Sequence, residues 1–138
     1  MNVYVDSSVL LRVVLGERGV LPQWSKIRRA VSSELVRVEC RRTIDRARLR
    51  LGLPDEEVVE RRTTLEEWLE AFDLVRLDPP ILERASEPFP TMLRTPDALH
   101  LASALTMRGR VEDLVFATHH AELALAARAV GFRVVGAA

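Results

Sequence analysis

The stretch Met1-Asn2-Val3-Tyr4-Val5-Asp6-Ser7-Ser8 places a short β-prone run directly before a carboxylate and two serines that can begin a helix. This order of strand, acid and helix is typical of open α/β sheets, which bind their ligands beyond the carboxyl ends of their strands. We therefore expect Asp6 to lie at the ligand-binding edge of a sheet.

Strand and helix patterns alternate along the rest of the chain. We predict strands at 2–5, briefly from Val31, and at 72–77, 114–117 and 132–135, and helices at 7–16, 21–30, 34–51, 54–71, 80–87, 95–107 and 121–130. This alternation predicts an α/β fold with a parallel sheet that helices cover on both faces. The 138 residues are enough for one core, so we expect a single domain over 1–138.

Local signals predict several helix ends. We expect Ser7 or Ser8 to cap the first helix, and Gly52 to stop the helix that begins near residue 34. Thr95-Pro96-Asp97 combines a capping hydroxyl, a first-turn proline and an acid that the helix dipole favours. The apolar side of the 34–51 helix is expected to carry Leu35, Val38, Ile44, Leu49 and Leu51.

Composition narrows the class of protein. Apolar residues make up 48% and charged residues 29% of the chain, which is typical of a globular protein. The formal net charge is zero, so the overall field favours neither nucleic acid nor membrane as a partner. We find no apolar run near the roughly 20 residues of a membrane span and no export signal. A lone cysteine, Cys40, fits a reducing compartment, and we expect a cytoplasmic protein without a membrane partner.

Three acids occur where a parallel sheet would bring them together. Asp6 follows the first strand, Asp97 begins a helix, and Glu39 lies within a helical pattern at one-turn spacing from apolar residues. Carboxylates that converge repel one another unless some hold protons or a cation neutralises them. Hard cations such as Mg²⁺ prefer oxygen ligands and keep several waters, which suits phosphodiester chemistry. The alternative is that all three are ordinary acids, with Asp6 and Asp97 acting only as helix caps.

Four segments together resemble the PIN-domain ribonucleases and, more narrowly, the VapC-type toxins of bacterial toxin–antitoxin pairs. These are 3–8, 33–39, Thr95-Pro96-Asp97-Ala98-Leu99-His100-Leu101-Ala102 and 115–132. The resemblance implies a three-layer α/β/α fold and an endoribonuclease that needs Mg²⁺ or Mn²⁺. It also implies an RNA substrate, a cognate antitoxin and a homodimer. Asp6, Glu39 and Asp97 fall on the family's metal-binding acids, and Glu34 is the rival to Glu39.

The chain departs from the family pattern at one position. Members usually carry a fourth acid in a Thr-x-Asp-x-x-Leu stretch, where this chain has Thr118-His119-His120-Ala121-Glu122-Leu123. His120 thus replaces an acid by an imidazole, which is a poorer ligand for Mg²⁺ but acceptable to Mn²⁺. Three interpretations stay open. Three acids are enough for activity, or His120 binds a softer ion or contacts the scissile phosphate, or the activity is weak. Ser7, Thr118 and His120 are therefore candidates for lining the site.

Other functions need other features. A catalytically weak or inactive PIN-like module that binds RNA or protein is the main alternative, and absence of metal binding would favour it. A receiver-like signalling domain would need a lysine late in the chain, whereas the only lysine is Lys26. His100, one turn after Asp97, is expected to be a hydrogen-bonded core histidine. The arginines of the 34–51 helix can contact RNA phosphates or pair with acids of a partner.

Overall fold

The computed structural model describes residues 1–138 and contains five strands and six α-helices. The strands are β1 (Asn2–Val5), β2 (Arg29–Ser33), β3 (Asp73–Val75), β4 (Val115–Ala117) and β5 (Val134–Val135). The helices are α1 (Ser7–Val14), α2 (Leu35–Leu51), α3 (Asp55–Ala71), α4 (Pro79–Ser86), α5 (Thr95–Arg108) and α6 (Ala121–Ala129). No helix is long and apolar enough to cross a membrane.

The five strands form one sheet in the order β3-β2-β1-β4-β5, and every neighbouring pair is parallel. Alternate residues of β1 point to opposite faces. Val3 and Val5 join a core with α1, α2 and α3, whereas Tyr4 joins a second core with α5 and α6. The predicted α/β class and the three-layer α/β/α arrangement are both confirmed. Because the central strand β1 is flanked by β2 and β4, Asp6 lies near the middle of the sheet edge.

The prediction of a helix over 21–30 was wrong. Only a single 3-10 turn forms at Trp24–Lys26, and β2 already begins at Arg29 rather than Val31. The reason is tertiary pairing, since Arg29 and Ala30 lie opposite Asn2 and Val3 in the parallel ladder with β1. Ladder hydrogen bonds thus outweigh the weak helical preference of this segment.

The buried face of α2 also differs from the prediction. The residues that it buries are Val36, Cys40 and Ile44, spaced four apart, and of the predicted apolar side only Ile44 belongs to this stripe. Val38, Leu49 and Leu51 have exposed fractions of 57%, 74% and 66%. Since α2 follows β2 after a single residue, the exit of the strand fixes which face turns inward. Gly52 ends the helix in the left-handed conformation (φ 61°), as expected.

Two expected helix caps differ as well. Asp6, rather than Ser7 or Ser8, is the N-cap of α1, and that helix ends at Val14 instead of residue 16. Thr95 is the first residue of α5, whose N-cap is Arg94 with no side-chain cap. A carboxylate reaches the free N–H groups of a helix start as well as a hydroxyl does, so Asp6 caps α1 whether or not it also binds a ligand at the edge of the sheet.

Candidate metal centre

Asp6 is held rigidly at the carboxyl end of β1, with an exposed fraction of 1%. Its Oδ1 accepts hydrogen bonds from the Ser8 amide (2.9 Å), the Ser8 hydroxyl (2.5 Å) and the Val9 amide (3.4 Å). Its Oδ2 accepts a single hydrogen bond, from Thr118 Oγ1 at 2.7 Å. A carboxylate oxygen has two lone pairs, so Oδ2 keeps the capacity to bind a further group.

Asp97 and His120 meet Asp6 at this edge. Nδ1 of His120 lies 3.9 Å from Asp6 Oδ2 and 3.7 Å from Asp97 Oδ1. One candidate ligand atom from each of the three residues lies within 4.8 Å of the others. The Asp97 carboxylate, aided by the negative charges of Asp6 and Glu39, raises the pKa of His120 above its ordinary value despite partial burial. The three residues can therefore hold either a proton on His120 or a cation between them.

Glu39 lies beside this trio rather than inside it. Its Oε1 accepts a hydrogen bond from Ser7 Oγ (2.6 Å) and lies 2.5 Å from His100 Nε2. Burial alone would raise the pKa of Glu39, but the contacts with His100 and Ser7 outweigh it, so the net shift is downward. Glu39 is therefore an ionised carboxylate at neutral pH, one oxygen of which is already occupied.

A cleft of about 880 Å³ opens beside the trio. Glu39, Asp97 and His120 line it, whereas the buried Asp6 does not. Its rim carries three arginines, Arg42, Arg46 and Arg94, and none of them forms an ion pair within the protein. By contrast, Arg37 and Arg41 on the same helix α2 both pair with Glu66 of α3. The cleft thus has an acidic floor and a basic rim whose arginines are not paired with carboxylates, although Arg46 donates a hydrogen bond to Thr43 Oγ1 (3.0 Å).

The structure brings most of the predicted site residues to one cleft. Ser7 lines the cleft, whereas Thr118 is fully buried and does not. Each hydroxyl donates to an acid, Ser7 to Glu39 and Thr118 to Asp6. The rival acid Glu34 is directed elsewhere, since its exposed side chain accepts a hydrogen bond from the Leu77 amide (3.0 Å).

Two features of the site were not predicted. Sequence reasoning missed the position of Arg94 on the rim and the link from His100 to Glu39. For Arg94 and His100 a signal existed, since they flank Asp97 within one turn of α5. Nothing in the sequence, however, shows that α2 brings Glu39 against that turn.

Comparison with known proteins identifies a family and relatives for this chain. The family model described as the PIN domain matches residues 3–127. Ribonuclease VapC47 of Mycobacterium tuberculosis (strain CDC 1551 / Oshkosh) is 30% identical over 141 residues, which cover 94% of this chain and 93% of the relative.

Two solved structures are similar in fold. A toxin–antitoxin complex from Klebsiella pneumoniae contains a chain with a TM-score of 0.65 and 16% identity, and the match covers 100% of this chain and 96% of that one. PAE2754 from Pyrobaculum aerophilum has a TM-score of 0.60 and 20% identity, with 97% and 83% covered. At these identities the structural matches show the fold alone. Together with the family model and the 30% identical relative, they establish that the chain belongs to the PIN domain family.

Proposed function

We propose that this PIN-domain protein is a divalent-metal-dependent endoribonuclease and the toxin of a toxin–antitoxin pair. The observation that carries the proposal is the convergence of Asp6, Asp97 and His120 within 4.8 Å at the carboxyl edge of the sheet. The 30% identical relative bears the name ribonuclease, and one fold neighbour comes from a toxin–antitoxin complex.

The donor set fits Mg²⁺ or Mn²⁺. Two carboxylates and one imidazole are available, and Asp6 Oδ2 retains an unused lone pair on the side of His120. Asp6, Asp97 and His120 would hold the ion, and Glu39, which lines the cleft beside them, would offer it a further carboxylate oxygen. The imidazole shifts the balance toward Mn²⁺, which accepts nitrogen ligands more readily than Mg²⁺ does. When bound, such a cation lowers the pKa of water and stabilises negative charge on phosphate oxygens.

The protein's own groups would orient the ligands and hold the substrate. Ser8 and Thr118 fix the Asp6 carboxylate in one orientation, so no reorganisation is needed when a cation arrives. The guanidinium groups of Arg42, Arg46 and Arg94, which have no acidic partner in the protein, are suited to RNA phosphates, which they can contact in a bidentate manner. Arg42 and Arg46 are one helical turn apart and share a face of α2, so they offer successive anion contacts beside the acidic floor.

Partners follow from the same proposal. An antitoxin would cover the cleft, with basic groups facing the acids of its floor. Exposed apolar side chains of α2, among them Val38 beside Glu39, give a partner protein apolar surface next to that floor. The homodimer that the resemblance implies and the cytoplasmic location expected from the composition stay predictions.

One observation favours a second candidate, a PIN-domain module that binds RNA or protein without cleaving it. His120 replaces the fourth acid of the family pattern and removes one negative charge from the site. With His120 protonated, the trio carries less net negative charge and attracts a dication less strongly. Calorimetric titration with Mg²⁺ and Mn²⁺ separates the candidates, because the binding module would take up neither ion.

The direct test of the leading proposal is RNA cleavage with Mg²⁺ or Mn²⁺ in wild-type protein and in Asp6→Asn and Asp97→Asn. We expect cleavage by the wild type only, and none after chelation of the metal. Cleavage that persists in a chelator would refute metal dependence.

A further inference from the structure

A buried chain of hydrogen bonds links Glu39 to the centre of the sheet. The Tyr4 hydroxyl lies 2.7 Å from His100 Nδ1, and His100 Nε2 lies 2.5 Å from Glu39 Oε1. Tyr4 and His100 have exposed fractions of 0% and 1%. Tyr4 also stacks on Phe116, with ring centroids 5.3 Å apart and planes at 9°. The chain therefore joins β1, α5 and α2 through groups that water does not reach.

The protonation of Glu39 and Tyr4 determines which atom donates in each hydrogen bond of His100. An ionised carboxylate only accepts hydrogen bonds, so His100 Nε2 must carry the proton that faces Glu39. The Tyr4 hydroxyl hydrogen-bonds His100 Nδ1 and no other side chain, so its proton is satisfied only when Nδ1 accepts it. Burial raises the pKa of Tyr4, so this hydroxyl keeps its proton and remains a donor. Tyr4 thus selects the tautomer of His100 that donates to Glu39.

Both donors to Glu39 bind the same oxygen. Ser7 Oγ and His100 Nε2 each contact Oε1, and no hydrogen bond from the protein reaches Oε2. Glu39 lines the cleft, so Oε2 is the oxygen that remains for a group bound there. We infer that Tyr4 and His100 are positioning residues, which hold Glu39 by Oε1 and thereby present Oε2 to a cation in the cleft.

This inference rests on the proposed metal-dependent function and deepens it. Groups that orient a metal ligand from behind commonly contribute about 10–100-fold in metal affinity or activity. We expect a loss of that size when the Nε2 donor is removed, although His100 is buried and does not line the cleft.

The first test reads the tautomer directly, in metal-free protein labelled with ¹⁵N on its histidines. We expect His100 to be protonated on Nε2 and bare on Nδ1. A proton on Nδ1 alone, or on both nitrogens, would overturn the role of Tyr4, because its hydroxyl would then have to accept.

The second test is calorimetric titration with Mn²⁺, with the thermal midpoint of each variant recorded. His100→Leu removes the donor and is expected to weaken Mn²⁺ binding by about 10–100-fold. His100→Gln, whose amide can donate from a similar position, is expected to restore most of it. Tyr4→Phe keeps the stack on Phe116, removes only the hydroxyl, and is expected to cause a smaller loss than His100→Leu.

Thr106→Val is the matched control on α5, because the Thr106 hydroxyl bonds only the Ala102 carbonyl of its own helix. We expect it to bind Mn²⁺ as the wild type does. Unchanged Mn²⁺ affinity in folded His100→Leu would overturn this inference and leave the proposed function standing. Failure of the wild type to bind Mn²⁺ would instead refute the proposed function. If His100→Leu does not fold, the inference is tested by the Mn²⁺ affinity of Tyr4→Phe and by the tautomer of His100, and an unchanged affinity together with a proton on Nδ1 would overturn it.

Discussion

Nδ1 of His120 lies 3.7 Å from Oδ1 of Asp97, at the position where the PIN resemblance leads one to expect a fourth acid. An acid there would add a fourth negative charge to a site that already holds Asp6, Glu39 and Asp97. An imidazole instead makes the charge of the site depend on pH near neutrality.

The first prediction concerns pH. Since Asp97 raises the folded-state pKa of His120, attraction between the imidazolium and its acids stabilises the metal-free fold fully below the unfolded-state pKa of about 6.5. This contribution is lost as the pH rises through the raised folded-state value. Mn²⁺ needs the neutral imidazole, so its affinity should increase over the same range. NMR titration of His120 and calorimetry on each side of its pKa measure both trends.

The control for this prediction is His120→Ala, which should flatten the pH dependence of Mn²⁺ affinity near neutrality. An equally steep dependence in that variant would assign the effect to another group.

The second prediction restores the acid. His120→Asp should raise Mg²⁺ affinity and reduce the preference for Mn²⁺, because carboxylate oxygen is the better ligand for the harder ion. The same variant should lose thermal stability without metal, since a third carboxylate would then repel Asp6 and Asp97. Titrations with the two ions, and thermal unfolding with and without metal, provide the readout. Equal Mg²⁺ affinity in both proteins would argue against a ligand at position 120.

The third prediction separates the two roles of Asp6. Asp6→Ala removes the cap of α1 and leaves the Thr118 hydroxyl without its partner, so we expect a loss of about 1–3 kcal/mol in the free energy of unfolding. Asp97→Asn keeps a polar group in the first turn of α5 and should change stability by less than about 1 kcal/mol. Both variants should lose Mn²⁺ binding. Denaturant unfolding measures both losses. A larger loss in the free energy of unfolding for Asp97→Asn than for Asp6→Ala would contradict the structural role assigned to Asp6.

The fourth prediction concerns the arginine rim. Arg42→Ala and Arg46→Ala should each weaken RNA binding and reduce the slope of log affinity against log salt by about 0.7, the value for one contact with a single strand. Arg41→Ala is the matched control, because Arg41 lies on the same helix but pairs with Glu66. Equal losses of RNA affinity in Arg41→Ala and Arg42→Ala would indicate that RNA responds to the overall positive charge of α2 rather than to contacts in the cleft.

Much of the fold follows from local patterns. The strand Val3 to Val5 alternates between two cores, and Gly52 supplies the left-handed stop that α2 needs. The segment 21–30 and the inward face of α2 were not predictable in the same way. Pairing of Arg29 with Asn2, and the exit direction of β2, are decided by contacts between distant parts of the chain.

The contacts of the site also differ in how far the sequence predicts them. Topology predicts that Asp6 and Thr118 share an edge, because β1 and β4 are adjacent parallel strands, and the two side chains are in contact. The state of Glu39 depends on Ser7 and His100 from two other helices, and no spacing in the sequence encodes that meeting. Sequence reasoning thus reaches the acids and Thr118, but not the link from His100 that orients Glu39.

The central claim is that the acids at the carboxyl edge of the sheet are arranged to hold a divalent cation. Its most direct measurement is anomalous diffraction from crystals soaked in Mn²⁺. The account predicts an anomalous peak among Asp6 Oδ2, the Asp97 carboxylate and His120 Nδ1, which disappears in Asp97→Asn crystals soaked in the same way. A wild-type crystal with no peak there, or a peak that survives in Asp97→Asn, would contradict it.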